Sequence, residues 1–313
     1  MKAVIVGLGV QGKKRKNILN KNEFVYTVDP FNKEADFNSI KKIPLSLYDT
    51  VFICTPESEK LNLISFCLEN KKHFLIEKPF PVLPSKQFNK LRSRIENSNQ
   101  VCYVGYNTRF EPYIVKLKKF LKKKIVGRVY SCKIFYGNGT ARLIKNSYWR
   151  DNGHGVVDDL FPHIFDLLHY FYKNKIFNLN LSIKKHISFF YNKFENKTAD
   201  HAILNINKKK SFFSLQASYC SWKNSFFCEI IGKKGSLHLN SLSKWGEVIL
   251  KFRKRMYPSG SPKEKVYCMK KKDITFKQEY IFFKKLILKK KNNNLSKELW
   301  INQNLYMLKK IMN

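Results

Sequence analysis

At 313 residues, with 60 Lys and Arg against 23 Asp and Glu for a net charge of +37, the chain has room for about two domains. A hydrophobic content of 43%, including 15% aromatic residues, excludes wholesale disorder. The basic excess invites a nucleic-acid or acidic-membrane partner, but it is evenly spread: residues 1–150 hold 29 basic and 11 acidic side chains, residues 151–313 hold 31 and 12.

Dispersed lysine of this kind is expected to be a solvated coat, so no specific nucleic-acid partner is expected. The N-terminus leads straight into Ala3-Val4-Ile5-Val6, an apolar β-branched strand that ends in Gly7-Leu8-Gly9-Val10-Gln11-Gly12. Only 13 glycines occur in the chain and none lies between Gly12 and Gly105, which makes three at GxGxxG spacing informative. Gly7 permits a tight turn, Gly9 lets backbone approach a pyrophosphate, and Gly12 lets a helix pack on the strand. That helix, read over Lys13 to Leu19, would offer its first amides, near Val10 and Gln11, to the phosphates.

Phe24–Val28 reads as a second strand and ends in Asp29, 17 positions after Gly12. A carboxylate there accepts hydrogen bonds from a ribose diol and repels a 2′-phosphate, which favours NAD, while Lys33 nearby leaves NADP open. Asp29-Pro30 is also an ordinary turn start. A strand over Thr50–Cys54 runs into Thr55-Pro56, a helix is expected from about Ser58 to Asn70, and Phe74-Leu75-Ile76 is a further strand ending at Glu77-Lys78-Pro79. Strands and helices alternating at this spacing predict a doubly wound parallel sheet, whose ligands bind beyond the carboxyl ends of the strands. Thr55, Pro56, Glu77 and Lys78 lie at such ends.

Residues 70–79, Asn-Lys-Lys-His-Phe-Leu-Ile-Glu-Lys-Pro, resemble the GKHVLxEKP signature of the Gfo/Idh/MocA oxidoreductases. The resemblance implies an NAD(P)-dependent enzyme acting on CH–OH groups, with an N-terminal Rossmann domain over residues 1–104. It implies that Lys78 reaches toward the nicotinamide and the reacting hydroxyl. One departure stands beside it: the family's TPNxxH is here Thr55-Pro56-Glu57-Ser58-Glu59-Lys60, so the contacts of that Asn and His are not carried over.

After a helix over about Ser85–Asn97, the strand Val101–Val104 leads to Gly105-Tyr106-Asn107-Thr108-Arg109-Phe110-Glu111-Pro112, similar to the family's GYNxRFxP entry to a second domain. Asn107 and Arg109 are candidate substrate contacts. In the helix Tyr113–Lys124, Ile114, Leu117, Phe120 and Leu121 recur at helical spacing, leaving its lysines on a solvated face. The strand Gly127–Tyr136 precedes a stretch that in the family lies beside the substrate, which makes Arg142 and Trp149 further candidates.

Asp159 and His163 stand four apart in Gly153-His154-Gly155-Val156-Val157-Asp158-Asp159-Leu160-Phe161-Pro162-His163, with Asp166 three residues on. On one helix they would share a face, and the carboxylate would orient an imidazole acting as general base. The stretch resembles the family's GGGxLxDxGxHxxDL motif. Pro162 departs from it, and a helix starting at Pro162 would leave Asp159 outside.

Beyond Ile176 the runs 178–183, 186–191, 202–206, 212–219, 226–231 and 236–239 predict a mostly antiparallel sheet, so residues 105–313 form an α+β domain in an α/β protein. Residues 250–277 are Lys-rich and show no clear period. One or two helices are expected from about 278 to 313; in the family the terminal helices pack back toward the cofactor domain. Seven cysteines (54, 67, 102, 132, 220, 228, 268) without CxxC or Cys/His spacing suit reduced thiols, no metal site and a cytoplasmic location. No apolar run nears the roughly 20 residues that cross a bilayer, so no membrane partner is expected.

The combined expectation is an NAD-dependent enzyme moving hydride to or from a secondary hydroxyl of a sugar, sugar nucleotide or cyclitol, with the basic surface favouring an anionic sugar derivative. Lys78, Asp159 and His163 carry the chemistry, and a homo-oligomer, dimer or tetramer, is expected from the family. An NAD-dependent glycoside hydrolase of the same fold and a silent sensor or nucleic-acid binder remain as alternatives.

Overall fold

A computed structural model describes residues 1–147, 151–172, 187–208, 210–290 and 293–313. Trp149, and the strand read over 178–183, lie outside the described residues. The chain divides into two compact units, residues 1–107 with 274–303, and residues 108–273 with 304–313.

The first unit is built on a five-stranded sheet of β1 (Ala3–Val6), β2 (Phe24–Val28), β3 (Thr50–Ile53), β4 (His73–Glu77) and β5 (Cys102–Gly105), in the order β2-β1-β3-β4-β5. All neighbours pair in parallel. Strands β1 and β3 are buried at every position, which explains why they read as continuous apolar runs rather than alternating ones. The connecting helices are α1 (Val10–Ile18), α2 (Glu57–Glu69) and α3 (Ser85–Glu96). The unit's core gathers Ile5, Phe52, Leu75, Val101 and Tyr103 with Tyr280 and Phe283. Those last two belong to α8 (Thr275–Leu288), so a helix from far along the chain completes this core.

Beneath the sheet's carboxyl edge lies a buried ion network. Arg15 of α1 is 1% exposed; its Nε donates to Glu77 Oε1 at 2.6 Å and its Nη2 to Glu279 Oε2 at 2.6 Å. The guanidinium also lies over the Phe276 ring. Burial by itself weakens the hold of Arg15 on its proton, but the two carboxylates outweigh it and raise that affinity above the ordinary value. A side chain at Gly105 would meet Arg15 Nη2 at 2.8 Å, so glycine there makes room for the network.

The second unit holds an eight-stranded sheet of β6 (Val129–Gly137), β7 (Ile187–Asn192), β8 (His201–Lys208), β9 (Ser211–Ser218), β10 (Ser225–Gly232), β11 (Gly235–Asn240), β12 (Val248–Lys254) and β13 (Lys263–Met269). Its order is β13-β12-β11-β10-β6-β9-β8-β7. β6 and β9 pair in parallel and the other described neighbours antiparallel. Inward residues alternate along the strands, as with Ile134, Tyr136, Leu204, Leu215, Cys228, Ile230, Leu237 and Leu250. Helices α4 (Pro112–Lys122), α5 (Ala141–Lys145), α6 (Val156–Asp159) and α7 (Phe161–Tyr172) complete it, with α6 and α7 touching β9. The last helix, α9 (Ser296–Met312), contributes residues to both units. No described helix is long and apolar enough to cross a membrane.

Two strands run through the segment without clear period: β12 and β13 occupy residues 248–254 and 263–269. Their outward positions carry Lys251, Arg253 and Glu264, ion-paired across the strands, and these charges obscure the alternation.

Removing one of the two carboxylates leaves the buried guanidinium matched by Glu77 alone, so Glu279→Gln should lower stability in a urea titration by about 1.5–3 kcal/mol. A loss under about 1 kcal/mol would show that the network carries no such stress.

Candidate active site

The glycine turn after β1 has the shape that a dinucleotide requires. Gly7 has φ of +93°, and a Cβ on it would strike the backbone of Cys54 at 2.7 Å. A Cβ on Gly12 would lie 1.9 Å from Gly7 O, so α1 can close on the turn only with glycine here. Gly9 differs: a Cβ there would meet nothing within 4 Å, so the protein itself does not demand glycine, and the open space is available to a ligand. Gly9 caps α1 without a side-chain hydrogen bond, and the first turn carries no acidic residue, leaving amides at Val10 and Gln11 for an anion. Two buried polar atoms beside these elements, Thr55 Oγ1 and Gln11 Oε1, have no hydrogen-bond partner. These features fit a dinucleotide, with the pyrophosphate at the α1 amides.

Asp29 closes the same turn. Its Oδ2 accepts Leu8 N–H at 2.8 Å, while Oδ1 accepts the amides of Phe31 and Asn32 at 2.9 and 3.1 Å. The carboxylate is thus partly committed to the turn, and Oδ2 keeps a lone pair for a ribose hydroxyl. Asp29 and Lys33 line one open hollow of about 450 Å³ with Pro30, Asn32 and Asp36.

Lys78 follows β4 and is half-buried. The carboxylate of Glu77, expected on the cofactor, is turned instead to Arg15. The two residues that depart from the family's pattern both grip this loop: Glu57 Oε1 accepts Val82 N–H at 2.9 Å, and Lys60 Nζ donates to Glu77 O at 2.6 Å and Pro79 O at 2.7 Å. Asn107 donates to Thr275 Oγ1 at 2.8 Å, a bond within the same unit.

In the second unit the helix around His163 is broken. Pro162 has no N–H to continue the ladder, so α6 ends at Asp159 and α7 begins at Phe161. Asp159 and His163 therefore stand on either side of an interruption rather than on one continuous helix. Asp159 Oδ2 accepts from the Tyr219 hydroxyl at 3.3 Å. His163 is 8% exposed and stacks on Tyr136 with centroids 5.5 Å apart and planes 9° from parallel; its Nδ1 lies 3.4 Å from Thr108 Oγ1. Lys244 Nζ in turn donates to Tyr136 Oη at 2.7 Å and lies over the Trp245 ring. Arg109 forks onto the buried Asp166 through Nε and Nη2, which fixes both. Arg142 is exposed on α5.

The family's N-terminal profile, an oxidoreductase family with an NAD-binding Rossmann fold, matches residues 1–106, and the family's C-terminal domain profile matches residues 114–238. The chain belongs to the Gfo/Idh/MocA family. Among its relatives, glucose-6-phosphate 3-dehydrogenase of Bacillus subtilis (strain 168) is 23% identical over 74% of this chain and 71% of its own length. Oxidoreductase P35 of Formosa agariphila is 30% identical over 43% of this chain, and the match spans only 44% of that relative's length. A solved levoglucosan dehydrogenase in complex with NADH shares the fold with a TM-score of 0.78 at 16% identity, over 100% of this chain and 97% of that one.

The resemblance to the family's motifs pointed to the glycine turn and to Lys78 and His163. It did not point to Arg15, Tyr136 or Lys244. Arg15 was hidden among the abundant basic residues, and Tyr136 among the inward positions of an ordinary strand.

The contrast between two glycines is testable. Gly9→Ala should leave the melting temperature within about 1 °C and weaken NADH binding, read by nicotinamide fluorescence, about tenfold or more. Unchanged NADH affinity would remove the turn from the cofactor site.

Proposed function

We propose that this chain is an NAD-dependent dehydrogenase or reductase that moves hydride between nicotinamide and a secondary hydroxyl of a sugar, sugar nucleotide or cyclitol. The observation that carries the reading is the glycine turn, open only at Gly9, in a chain that also keeps the Lys and His of the family's two motifs. Relatives support the substrate class by name: glucose-6-phosphate 3-dehydrogenase, scyllo-inositol 2-dehydrogenase and levoglucosan dehydrogenase.

Bound NAD supplies the hydride acceptor. His163 is assigned the hydroxyl proton as general base, with the Thr108 hydroxyl 3.4 Å from its Nδ1. Tyr136, flat against the imidazole, limits its rotation. Lys78 is assigned to the substrate oxygen, where an ammonium stabilises developing negative charge. Asp159 is assigned to support of the imidazolium, and Arg109 to an acidic or hydroxyl group of the substrate. The +37 charge and Lys244 beside Tyr136 favour an anionic substrate such as a phosphorylated, nucleotide-linked or carboxylated sugar.

A panel of sugars, sugar nucleotides and cyclitols with NAD, read at 340 nm, tests the activity. On any substrate found, Lys78→Ala and His163→Ala should each lower kcat about 100- to 10,000-fold with NADH affinity kept. Full activity in either variant would remove that residue from the mechanism. For the cofactor, the Asp29 carboxylate predicts NADH binding about tenfold or more tighter than NADPH. The reverse order in a fluorescence titration would give the site to Lys33 and NADP.

A further inference from the structure

We propose that Lys60 is a positioning residue for Lys78, a buried ammonium that bridges the carbonyls on either side of it and so fixes the backbone from which it projects. This rests on the assignment of Lys78 to the reaction. Lys60 lies in the first turn of α2 and is 2% exposed. Buried lysines are rare unless their donors are matched. Here Nζ donates to Glu77 O at 2.6 Å and to Pro79 O at 2.7 Å. Bonds to the carbonyls of the residues before and after Lys78 restrain the backbone on both sides of it.

The chemistry of the side chain suits the task. An ammonium has three donors on one atom and can serve two carbonyls from the same side, whereas a neutral imidazole has one N–H. The loop is held a second time through its next residues, by Glu57 at Val82 N–H, and a third time through Glu77 at Arg15. Lys78 thus projects from a segment gripped on each side by buried groups.

The clamp is also sensitive to pH. Burial pulls the Lys60 ammonium down to about 8; Glu57 and Glu77 oppose this, Lys78 adds to it, and the Cys54 thiol faces the same space. Above that pH the amine is neutral and a weaker donor. The stability linkage runs the other way. From about 8 up to the ordinary value of 10.5, the unfolded chain holds a proton that the folded chain has released, so this group makes the fold more stable as pH rises. An alkaline loss of activity traced to Lys60 is therefore a loss of positioning and not unfolding by this group.

The test uses the whole protein with NADH bound and two variants, Lys60→Met, which removes the donor, and Lys60→Gln, which keeps two N–H groups. Hydrogen exchange at the Lys78 and Phe80 amides should rise about tenfold or more in Lys60→Met and less in Lys60→Gln. On a substrate from the panel, Lys60→Met should lose about 30-fold or more in kcat, with the NADH dissociation constant within about threefold of the parent. The alkaline limb of kcat near pH 8 should disappear in the same variant. Unchanged exchange overturns the clamp, whatever the activity does. Raised exchange with kcat and the alkaline limb unchanged overturns the positioning role. Where the parent protein itself turns over no substrate of the panel, raised exchange in the variant upholds the clamp and it is the assignment of Lys78 to the reaction that falls. If Lys60→Met fails to fold, Lys60→Gln carries the same readouts in the same directions.

Discussion

Two buried cations decide where the end of β4 stands. Arg15 takes the side chain of Glu77, and Lys60 takes the main-chain carbonyls of Glu77 and Pro79. Charges are costly inside a protein unless well matched, so both cations force the elements around them into one arrangement. Arg15 stands on α1, the helix that begins at the glycine turn, and Lys60 on α2. Glu279, the second partner of Arg15, stands on α8, more than two hundred residues further along. The helix that follows the glycine turn and the loop that carries Lys78 are therefore tied through a shared network. A cofactor placed at the glycine turn inherits a fixed relation to the strand end, which is what orientation-dependent chemistry requires.

The second unit secures its own polar residues by different means. His163 is held by stacking and by Thr108, and Arg109 by a fork onto buried Asp166. Stacked rings and bidentate pairs restrict rotation without large exposed charge. The break at Pro162 lets Asp159 turn to Tyr219 while His163 stays on the helix that packs on the sheet.

The parallel sheet was legible because its strands are buried on both faces and read as unbroken apolar runs, as in Ala3–Val6 and Thr50–Ile53. The glycine turn was legible because glycine is otherwise so sparse. The shared face of Asp159 and His163 was not secure in the sequence, since one proline decides whether the helix is continuous. Strands β12 and β13 were hidden by charged residues that pair across the outer face. Arg15 and Lys60 were hidden by composition: among 60 basic residues, nothing local marks them as buried. The +37 charge is thus mostly a surface property, but two of its members hold the strand end on which the proposed chemistry depends.

The most direct measurement of that chemistry follows the hydride itself. With NAD and a substrate deuterated at its carbinol carbon, the account predicts NADH carrying one deuterium at C4 by mass spectrometry. NADH without the label, or turnover with no net NADH, would contradict hydride transfer from a secondary alcohol as the net reaction.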